Sequence, residues 1–440
     1  MVFVVDKGKV MSVKQCLEYR LTEEQLPAQW YNFLLDLPKA LPPVEDVHVP
    51  PSAEIMAKIR PAELLRQNAP AEQWVDIPGP VRERLLQVGR PTPLRRALAL
   101  EAALQTRARI YIKREDTLVT GSFKVGTALA QAYYAREEGR DCLISETGAG
   151  QWGMSMALAS QMFGLKCKIF MARCSMEQKR YREHYMRLLG TEVSPSPSRA
   201  TAIGRRLLEQ RPDHPGTMGT AISEAIEAAL ATPGSAYLSG SNVNHVHLHQ
   251  TLLGQETRAQ LALAGEQGPD QLIACVSGGS NLCGFMLPFL RDKREGRAVS
   301  FLGAESTAAP RLTQGTYEYC SSDPAGYTPR VLAYSMGPDF IPLPVHAGGL
   351  RQHNSSPLVS LLKKEGLLDA VAIEEHEAFE AGRLLLRTEG FLVAPESAHA
   401  MAAAIRAAGR AREEGSEPCI VVLGSGSGML DLEGYRQVLL

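Results

Sequence analysis

The sequence predicts an α/β protein with two parallel-sheet domains, each with helices on both faces of its sheet. The chain has 440 residues, which is too long for one hydrophobic core and favours two domains that share a cleft. Short apolar segments typical of buried strands alternate with helical patterns of roughly 10–15 residues, as in parallel sheets. Several of these strands lead directly into glycine-rich turns.

Composition and pattern divide the chain into three parts. Residues 1–85 are rich in proline, and we interpret them as an N-terminal extension that wraps around the rest. A disordered tail is the alternative, but Trp30-Tyr-Asn-Phe-Leu-Leu35 and Trp74-Val-Asp-Ile77 contain apolar side chains that favour burial. We expect residues 86–245 to form an N-terminal α/β domain and residues 246–440 a C-terminal α/β domain.

The first predicted domain follows a strand–helix order. Helical and strand patterns are assigned by apolar period. The predicted strands end at Asp116 or span 142–145, 166–171 and 192–194, and the predicted helices span 128–135, 152–162, 178–189 and 221–230.

The second predicted domain repeats this order. A helix is expected over 249–264, and strands over 271–276, 298–303 and 419–423. Residues 306–356 have the Gly, Pro and Tyr content of a loop, and a loop of this length indicates a function. Further helices are expected near 375–388 and 397–409.

Composition excludes several classes of protein. The net charge of −1 gives no reason to expect a nucleic-acid partner, and Lys179-Arg-Tyr-Arg182 has the spacing of a solvated helix face. The eight cysteines form no C-x-x-C pair, which is typical of reduced thiols in a cytoplasmic protein. The N-terminus becomes charged at Asp6 and Lys7, so we expect no signal peptide. No apolar run reaches the roughly 18 residues of a membrane span.

One lysine lies where a strand, a turn and a helix are predicted to meet. The stretch Gly121-Ser-Phe-Lys124-Val-Gly-Thr127 follows a strand pattern and precedes a helix pattern. The positive end of the helix dipole and partial burial both favour the neutral amine of Lys124. A neutral amine is a nucleophile that forms a Schiff base with an aldehyde cofactor. An ordinary surface lysine is the alternative, and this stretch alone does not decide between them.

Two glycine-containing turns after strands are candidate anion-binding sites. In Ser277-Gly-Gly-Ser-Asn281, backbone N–H groups and the following helix favour a phosphate, although a plain tight turn is equally consistent. Glu146-Thr-Gly-Ala-Gly-Gln151 could bind a second anion, such as an amino-acid carboxylate. Glu146 would then be placed for acid–base chemistry, but a helix-capping acid is the usual reading of such a residue.

Two other motifs resemble a dinucleotide-binding turn and a metal site, but each lacks features that such a site requires. Gly424-Ser-Gly-Ser-Gly428 resembles a dinucleotide-binding turn, but too little chain follows it for a β-α-β unit. A serine there could instead meet a ring nitrogen or a phosphate. His245-Val-His-Leu-His249 lacks acidic or cysteine partners at ligand spacing, so buried histidines at a helix start are favoured over a metal site.

A lysine, a phosphate cup, a carboxylate cup and an acid together indicate pyridoxal-phosphate chemistry. The chain resembles the tryptophan synthase β-chain family of fold-type II pyridoxal-phosphate enzymes, and more narrowly its stand-alone branch. The shared motifs extend over nearly the whole chain and are Arg90-Pro-Thr-Pro-Leu94, Lys113-Arg-Glu-Asp116, Glu146-Thr-Gly-Ala-Gly-Gln-Trp-Gly153, Gly278-Gly-Ser-Asn281, His346-Ala-Gly-Gly-Leu350 and Pro395-Glu-Ser-Ala-His399.

The resemblance implies a role for each candidate residue, with the cofactor in the cleft between the domains. Lys124 would be the Schiff-base lysine, and Glu146 would move protons at the leaving group and the nucleophile. Segment 143–232, approximately, would be a mobile lid. Predicted cofactor contacts are Gly278, Gly279, Ser280 and Asn281 at the phosphate, Glu305 near the ring and Ser425 at the pyridine nitrogen, and predicted carboxylate contacts are Thr147, Gly148, Ala149, Gly150 and Gln151.

Four differences from the family pattern fall around the cofactor. The family usually has His at the position of Phe123, Asn at that of Gly126 and Gly at that of Ser277. It usually has His or Arg where this chain has Ser427. These changes could alter how tightly the cofactor binds or could retune the reaction.

The resemblance implies that L-serine, or a serine ester, reacts with indole through an aminoacrylate to give L-tryptophan. One alternative is a related synthase of specialised metabolism that uses another nucleophile or amino acid, and a second is a non-catalytic binding paralogue. The family also implies small-molecule substrates, a homodimer, possible activation by a monovalent cation and a cytoplasmic location. The long extension is similar to the stand-alone branch, which disfavours an α-subunit partner.

Overall fold

The computed structural model describes residues 17–46, 50–337 and 340–440. The predicted charged N-terminus, Cys16 and part of the proline-rich segment near residue 49 lie outside the described residues. The strands are β1 (Glu18–Tyr19), β2 (Gln29–Tyr31), β3 (Trp74–Asp76), β4 (Leu94–Arg96), β5 (Arg109–Arg114), β6 (Cys142–Thr147), β7 (Lys166–Ala172), β8 (Glu192–Ser196), β9 (Ser235–Tyr237), β10 (Gln271–Cys275), β11 (Ser300–Ser306), β12 (Thr316–Cys320), β13 (Val331–Ser335), β14 (Asp369–Ile373) and β15 (Cys419–Gly424).

Helices connect these strands and pack on both sheets. They are α1 (Ser52–Ile59), α2 (Ala62–Arg66), α3 (Gly79–Gln87), α4 (Leu98–Leu104), α5 (Val125–Glu137), α6 (Gln151–Met162), α7 (Arg173–Gln178), α8 (Arg180–Leu188), α9 (Ala202–Gln210), α10 (Met218–Ala231), α11 (Asn244–His249), α12 (Leu252–Leu263), α13 (Ser280–Met286), α14 (Leu290–Arg294), α15 (Arg311–Gln314), α16 (Pro357–Lys364), α17 (Glu375–Glu389), α18 (Pro395–Glu414) and α19 (Leu432–Leu439). Gly390 and Gly415 end α17 and α18 in the left-handed conformation that glycine adopts without strain.

The larger sheet has the strand order β1-β4-β5-β15-β10-β11-β14. Strands β5, β15, β10, β11 and β14 run parallel, whereas β4 and β1 pair antiparallel at one edge. Strand β15 is buried along its whole length, and its Ile, Val and Leu residues suit a central strand that is covered on both faces. The strands β10 and β15 both end beside glycine-containing turns, so the larger sheet presents these turns at one edge.

The smaller sheet has the order β8-β7-β6-β9, and all of its strands are parallel. It lies within residues 142–237, whereas the strands of residues 94–114 join the larger sheet. The predicted α/β class with two sheets is therefore confirmed. The predicted domain boundaries near residues 85 and 245 stay predictions, and the larger sheet takes strands from both sides of residue 245.

The described part of the N-terminal extension buries several of the apolar side chains expected of it, but Leu35 and Trp74 are 52% and 46% exposed. Strands β2 and β3 pair antiparallel and bring Trp30 opposite Val75. Trp30 and Phe33 are each only 1% exposed. The Trp30 ring lies 4.4 Å from the ring of His249, between ring centres, so the extension packs on the second half of the chain.

Four local predictions need correction. The helix face at residues 179–182 is not solvated as a whole, because Lys179 and Arg182 are only 3% and 2% exposed. Residues 306–356 are not all loop, because they contain α15 and the antiparallel hairpin β12–β13. Most side chains of β12 are exposed or half-buried, so hydrophobic alternation did not reveal it. The predicted helix over 249–264 begins later, as α12 at Leu252, because His249 is the last residue of a separate helix, α11. The predicted helix over 178–189 likewise begins at Arg180 as α8, because Gln178 is the last residue of α7.

The described ranges contain no helix that is both long and apolar enough to span a bilayer. Seven cysteines in these ranges are free thiols, and five of them are buried.

Candidate active site

A cavity of about 360 Å³ lies at the carboxyl ends of β6, β10 and β15, with walls from both sheets. In open α/β sheets this edge is where ligands bind. The predicted residues that line the cavity are Lys124, Thr147, Gly148, Ala149, Gln151, Gly278, Gly279, Ser280, Asn281 and Ser425.

Lys124 directly precedes α5, as predicted, and its side chain lines the cavity. Its Nζ donates to the carbonyl oxygen of Gly240 at 3.5 Å and lies 4.8 Å from the centre of the Phe123 ring. Burial lowers the pKa of this amine to about 8, although nearby acidic groups oppose the shift. An appreciable fraction of the amine is therefore neutral near pH 7, as a nucleophilic lysine requires.

The turn of residues 277–281 joins β10 to α13 through two glycines that no other residue could replace without movement. A Cβ atom on Gly278 would lie 2.0 Å from Oδ1 of Asn242, and one on Gly279 would lie 2.2 Å from Cγ2 of Val359. Gly279 also has φ of +100°. The turn thus presents backbone rather than side chains to the cavity, which is the form of a phosphate-binding cradle.

Asn281 fixes the shape of this turn from behind. Its Nδ2 donates to the backbone oxygen of Cys275 at 2.8 Å and lies 3.2 Å from the Cys275 Sγ. Ser280 Oγ donates to the Gly240 oxygen at 3.5 Å, which Lys124 also contacts. The turn and the lysine therefore share one backbone acceptor.

The second turn, residues 147–151, is organised by Thr147. Its Oγ1 accepts hydrogen bonds from the N–H groups of Gly150 at 3.1 Å and Gly153 at 3.2 Å. Gly150 has φ of +92°, and a Cβ atom there would lie 2.9 Å from Cβ of Arg182. This geometry places the start of α6 at the cavity wall, where its dipole favours a carboxylate.

Glu146 lies in β6, one residue before this turn, and is only 2% exposed. It does not line the cavity, but its charge interacts with that of Lys124. Burial raises the pKa of Glu146 to about 7, against a hydrogen bond from Tyr237 and the charges of Arg60 and Lys124. A carboxyl group with this pKa can both give and take a proton near neutral pH.

Glu305 lies in β11 and is fully buried, but it does not line the cavity. Its carboxylate accepts the backbone N–H groups of Leu312 at 2.9 Å and Thr313 at 2.8 Å, and the Thr313 hydroxyl at 2.7 Å. These bonds give Glu305 the role of capping α15. Its predicted place near a cofactor ring stays a prediction that this geometry does not support.

Ser425 follows β15 and lines the cavity with a partner that sequence reasoning missed. Its Oγ lies 2.7 Å from Oγ of Ser397, which in turn accepts the N–H of Gly426 at 3.0 Å. Because Ser397 already accepts this bond, it can donate its hydrogen to Ser425. The hydrogen of Ser425 is then available to Sγ of Cys275, 3.5 Å away, or to a ligand in the cavity.

Glu396 is a second residue to which sequence reasoning gave no role, although Pro395-Glu-Ser-Ala-His399 was among the matched motifs. It lines the cavity and accepts hydrogen bonds from the N–H of Gly349 at 2.8 Å and Nε2 of Gln151 at 3.2 Å. Burial raises its pKa, but the charges of Arg182 and Lys179 outweigh burial and hold the pKa below its usual value.

The three histidines of α11 are each at most 1% exposed. His249 contacts Oγ1 of Thr127 at 2.9 Å and Oε1 of Gln67 at 2.7 Å through its two ring nitrogens. Burial lowers the pKa values of His247 and His249 to about 3, so both rings are neutral. The described ranges contain no cluster of His, Cys, Asp and Glu that could hold a metal.

Comparisons with known proteins decide the family. Residues 85–425 match the model of the pyridoxal-phosphate dependent enzyme family. The chain is 49% identical to tryptophan synthase beta chain 2 of Thermotoga maritima, over 94% of this chain and 98% of that protein. It is 47% identical to tryptophan synthase beta chain 2 of Methanothermobacter thermautotrophicus, over 95% and 98%. The chain belongs to the tryptophan synthase β-chain family.

Solved structures agree with this family at the level of the fold. Threonine deaminase isoform 2 of Solanum lycopersicum matches with a TM-score of 0.59 at 20% identity, covering 92% of this chain and 98% of that one. The L-serine ammonia-lyase of Rhizomucor miehei matches with a TM-score of 0.58 at 17% identity, covering 79% and 97%. The predicted fold-type II architecture is thereby confirmed.

Of the four departures from the tryptophan synthase β-chain pattern, Phe123 and Ser277 line the cavity, whereas Gly126 and Ser427 do not. Phe123 is 6% exposed, and a Cβ atom on Gly126 would lie 3.6 Å from Oε1 of Gln250. The buried Oγ of Ser277 has no hydrogen-bond partner within the described ranges. The N–H of Ser427 donates at 2.8 Å to the backbone oxygen of Gly121, three residues before Lys124. All four positions leave the lysine and both turns in place.

Proposed function

We propose that this chain is a β-replacement enzyme that converts L-serine, or a serine ester, and indole to L-tryptophan with pyridoxal phosphate. The observation that carries this proposal is the convergence in one cavity of a lysine of lowered pKa, a glycine cradle, a carboxylate turn and a serine hydroxyl. The names of the relatives at 47–49% identity support tryptophan as the product over the two alternatives.

The residues present fit pyridoxal phosphate. Gly278 and Gly279 line the cavity, and neither has room for a Cβ atom, so their backbone is open to a phosphate there. When bound, pyridoxal phosphate supplies an aldehyde and an electron-withdrawing ring that activates an amino acid. Gly278 to Asn281 would hold the phosphate, and the Ser425 hydroxyl would meet the ring nitrogen. A neutral hydroxyl there does not protonate the nitrogen, which favours elimination and replacement.

Lys124 would attach the cofactor and then move the proton at the substrate Cα. Its contact with Gly240 holds the amine beside the phosphate turn, and its pKa of about 8 lets it alternate between neutral and charged forms near neutral pH. The amides at the start of α6 and the Thr147 hydroxyl would bind the substrate carboxylate. Glu146 directly precedes this turn in β6.

Glu146 would manage protons at Cβ. In its neutral form it can donate to the departing hydroxyl, and in its ionised form it can accept the proton of indole. Its pKa of about 7 keeps both forms populated. The apolar walls around Met218 and Ile341 would exclude water and receive an aromatic nucleophile.

The finer organisation of the protein is also proposed. We infer a homodimer of cytoplasmic location that works without an α-subunit, by likeness to the stand-alone branch. The segment of about 143–232, which holds the smaller sheet and contributes Gly216 to Met218 to the cavity, would act as the lid.

The test is product formation by the purified protein with pyridoxal phosphate, L-serine and indole, measured by liquid chromatography and mass spectrometry. We expect L-tryptophan from the wild-type protein and from Lys58→Ala, which changes an exposed lysine. Lys124→Ala should form none. In the wild-type protein, borohydride reduction should attach the cofactor covalently to the peptide that contains Lys124. Tryptophan formation by Lys124→Ala at the wild-type rate would refute the assignment.

A further inference from the structure

Arg60, at the end of α1, carries a charge into the protein interior from the N-terminal extension. It is 7% exposed, and its Nη2 donates to Oγ of Ser239 at 3.0 Å. Its buried Nε has no hydrogen-bond partner in the described part of the chain. Burying a guanidinium with so few hydrogen bonds is costly.

The extension holds this charge firmly in place. Ile55 and Ile59 of α1 are each 3% exposed and belong to one apolar cluster with Ile144 and Tyr237 of the smaller sheet. The N–H of Arg60 donates to the oxygen of Met56 at 2.8 Å, which continues the helix to this residue. Arg60 is therefore seated on the strands of the smaller sheet by the packing of α1.

Arg60 faces the group that the proposed reaction uses for proton transfer. Its guanidinium carbon lies 5.2 Å from the centre of the Tyr237 ring. Tyr237 pairs with Ile144, which lies two residues before Glu146 and therefore on the same face of β6. The charge of Arg60 favours the ionised form of Glu146. The charge of Lys124 also acts on Glu146. Oε2 of Glu146 is buried and has no hydrogen-bond partner in the described ranges.

The same arginine also steadies the segment that contacts the reactive lysine. Ser239, which accepts the Arg60 hydrogen bond, directly precedes Gly240. The Gly240 oxygen accepts the hydrogen bond from Lys124 Nζ. Arg60 therefore contacts Tyr237, near Glu146, and Ser239, the residue before the backbone acceptor of Lys124.

We propose that Arg60 is a positioning residue for Glu146, and that the N-terminal extension is thereby a working part of the active site. Together with Tyr237 it favours the ionised carboxylate, which must accept the proton of the nucleophile. Without the arginine, the buried carboxylate would hold its proton to higher pH. This inference rests on the proposed role of Glu146 in β-replacement.

The test compares variants by the pH dependence of kcat and by infrared titration of the Glu146 carboxyl band. That band is identified by its loss in Glu146→Gln. Arg60→Met should raise the midpoint of both the acid limb of kcat and the band by about one pH unit, as loss of a nearby opposite charge does. Arg60→Lys, which keeps the charge, should return the midpoint toward the wild-type value.

Arg66→Met is the matched control, since Arg66 lies in the same extension but is 46% exposed and pairs with Glu63 and Glu72. It should leave the midpoint unchanged. If Arg60→Met does not fold, Tyr237→Phe provides the second variant and should also raise the midpoint of the carboxyl band. Unchanged midpoints in Arg60→Met, or in Tyr237→Phe when the former does not fold, would overturn the inference.

The infrared measurement separates this inference from the proposed function. Absence of tryptophan from the wild-type protein would refute the proposed reaction, yet the carboxyl band would still report whether Arg60 controls Glu146. Normal tryptophan formation with the same midpoint in wild type and Arg60→Met would leave the reaction intact and refute the inference.

Discussion

Asp431→Asn should destabilise the protein by removing the carboxylate that pairs directly with two buried cations. Asp431 Oδ1 lies 2.5 Å from Nζ of Lys179, and its Oδ2 lies 2.6 Å from Nη2 of Arg182. The Asp431 side chain is 0% exposed, and the two cationic side chains are 2% exposed. The pairing joins α8, beside the smaller sheet, to the segment that follows Ser425.

The magnitude follows from this burial. Removing one partner of a buried ion pair costs about 3–5 kcal/mol, because the remaining charge stays desolvated. Arg182 keeps its hydrogen bond to the Ala149 oxygen at 2.7 Å, so the lower part of this range is expected. Since total stabilities are about 5–15 kcal/mol, such a loss is a large share of the whole.

Urea unfolding of wild type and Asp431→Asn measures this loss directly. Asp213→Asn is the matched control, because Asp213 is 82% exposed in its pair with Arg211 and should cost at most about 1 kcal/mol. Adding Lys179→Met to Asp431→Asn should recover part of the loss by removing one unpaired cation. A loss below about 1 kcal/mol for Asp431→Asn would refute the reasoning, since it would mean that these charges are solvated.

Two further predictions concern the cofactor. Gly279→Ala should weaken pyridoxal-phosphate binding at least about tenfold in a fluorescence titration, because the new Cβ would lie 2.2 Å from Val359 where φ is +100°. Gly409→Ala is the control, since a Cβ there would meet nothing within 4 Å. Equal affinity of the two variants for the cofactor would contradict this prediction. The rate of cofactor capture by the apoprotein should rise with pH, because Lys124 reacts as the neutral amine and burial lowers its pKa to about 8. A midpoint near the ordinary lysine value of about 10.4 in a stopped-flow absorbance series would show that the amine is not buried as described.

Local sequence signals predicted the elements that carry the site. Gly278 and Gly279 follow a buried strand and precede a helix, and both positions admit only a bare backbone. Lys124 likewise lies at the predicted junction of turn and helix. These features depend on neighbours within a few residues, which is why the sequence alone reveals them.

Contacts between distant parts of the chain could not be predicted in this way. Arg182 and Asp431 are 249 residues apart, and Arg60 and Ser239 are 179 apart, with no pattern that links either pair. Strand β5 looks like part of the first domain by position, yet it pairs with β15 in the larger sheet. Apolar period indicates that a strand exists, but it does not indicate the partner.

Glu305 illustrates a different difficulty. The family resemblance implied a place near the cofactor ring, whereas its carboxylate is occupied by Leu312 and Thr313. A buried acid six residues before a short helix is a capping partner that the sequence could have indicated, but Gly, Pro and Tyr in that region favoured a loop instead.

The measurement that tests the central claim most directly is competition between nucleophiles in the presence of excess L-serine. Indole would compete with other aromatic and thiol nucleophiles in one reaction with the purified holoenzyme, and mass spectrometry would give the ratio of kcat/KM values from the products. We expect indole to have the highest kcat/KM of the competing nucleophiles and L-tryptophan to be the main product. A higher kcat/KM for another nucleophile would contradict the assignment as a tryptophan synthase while leaving β-replacement in place.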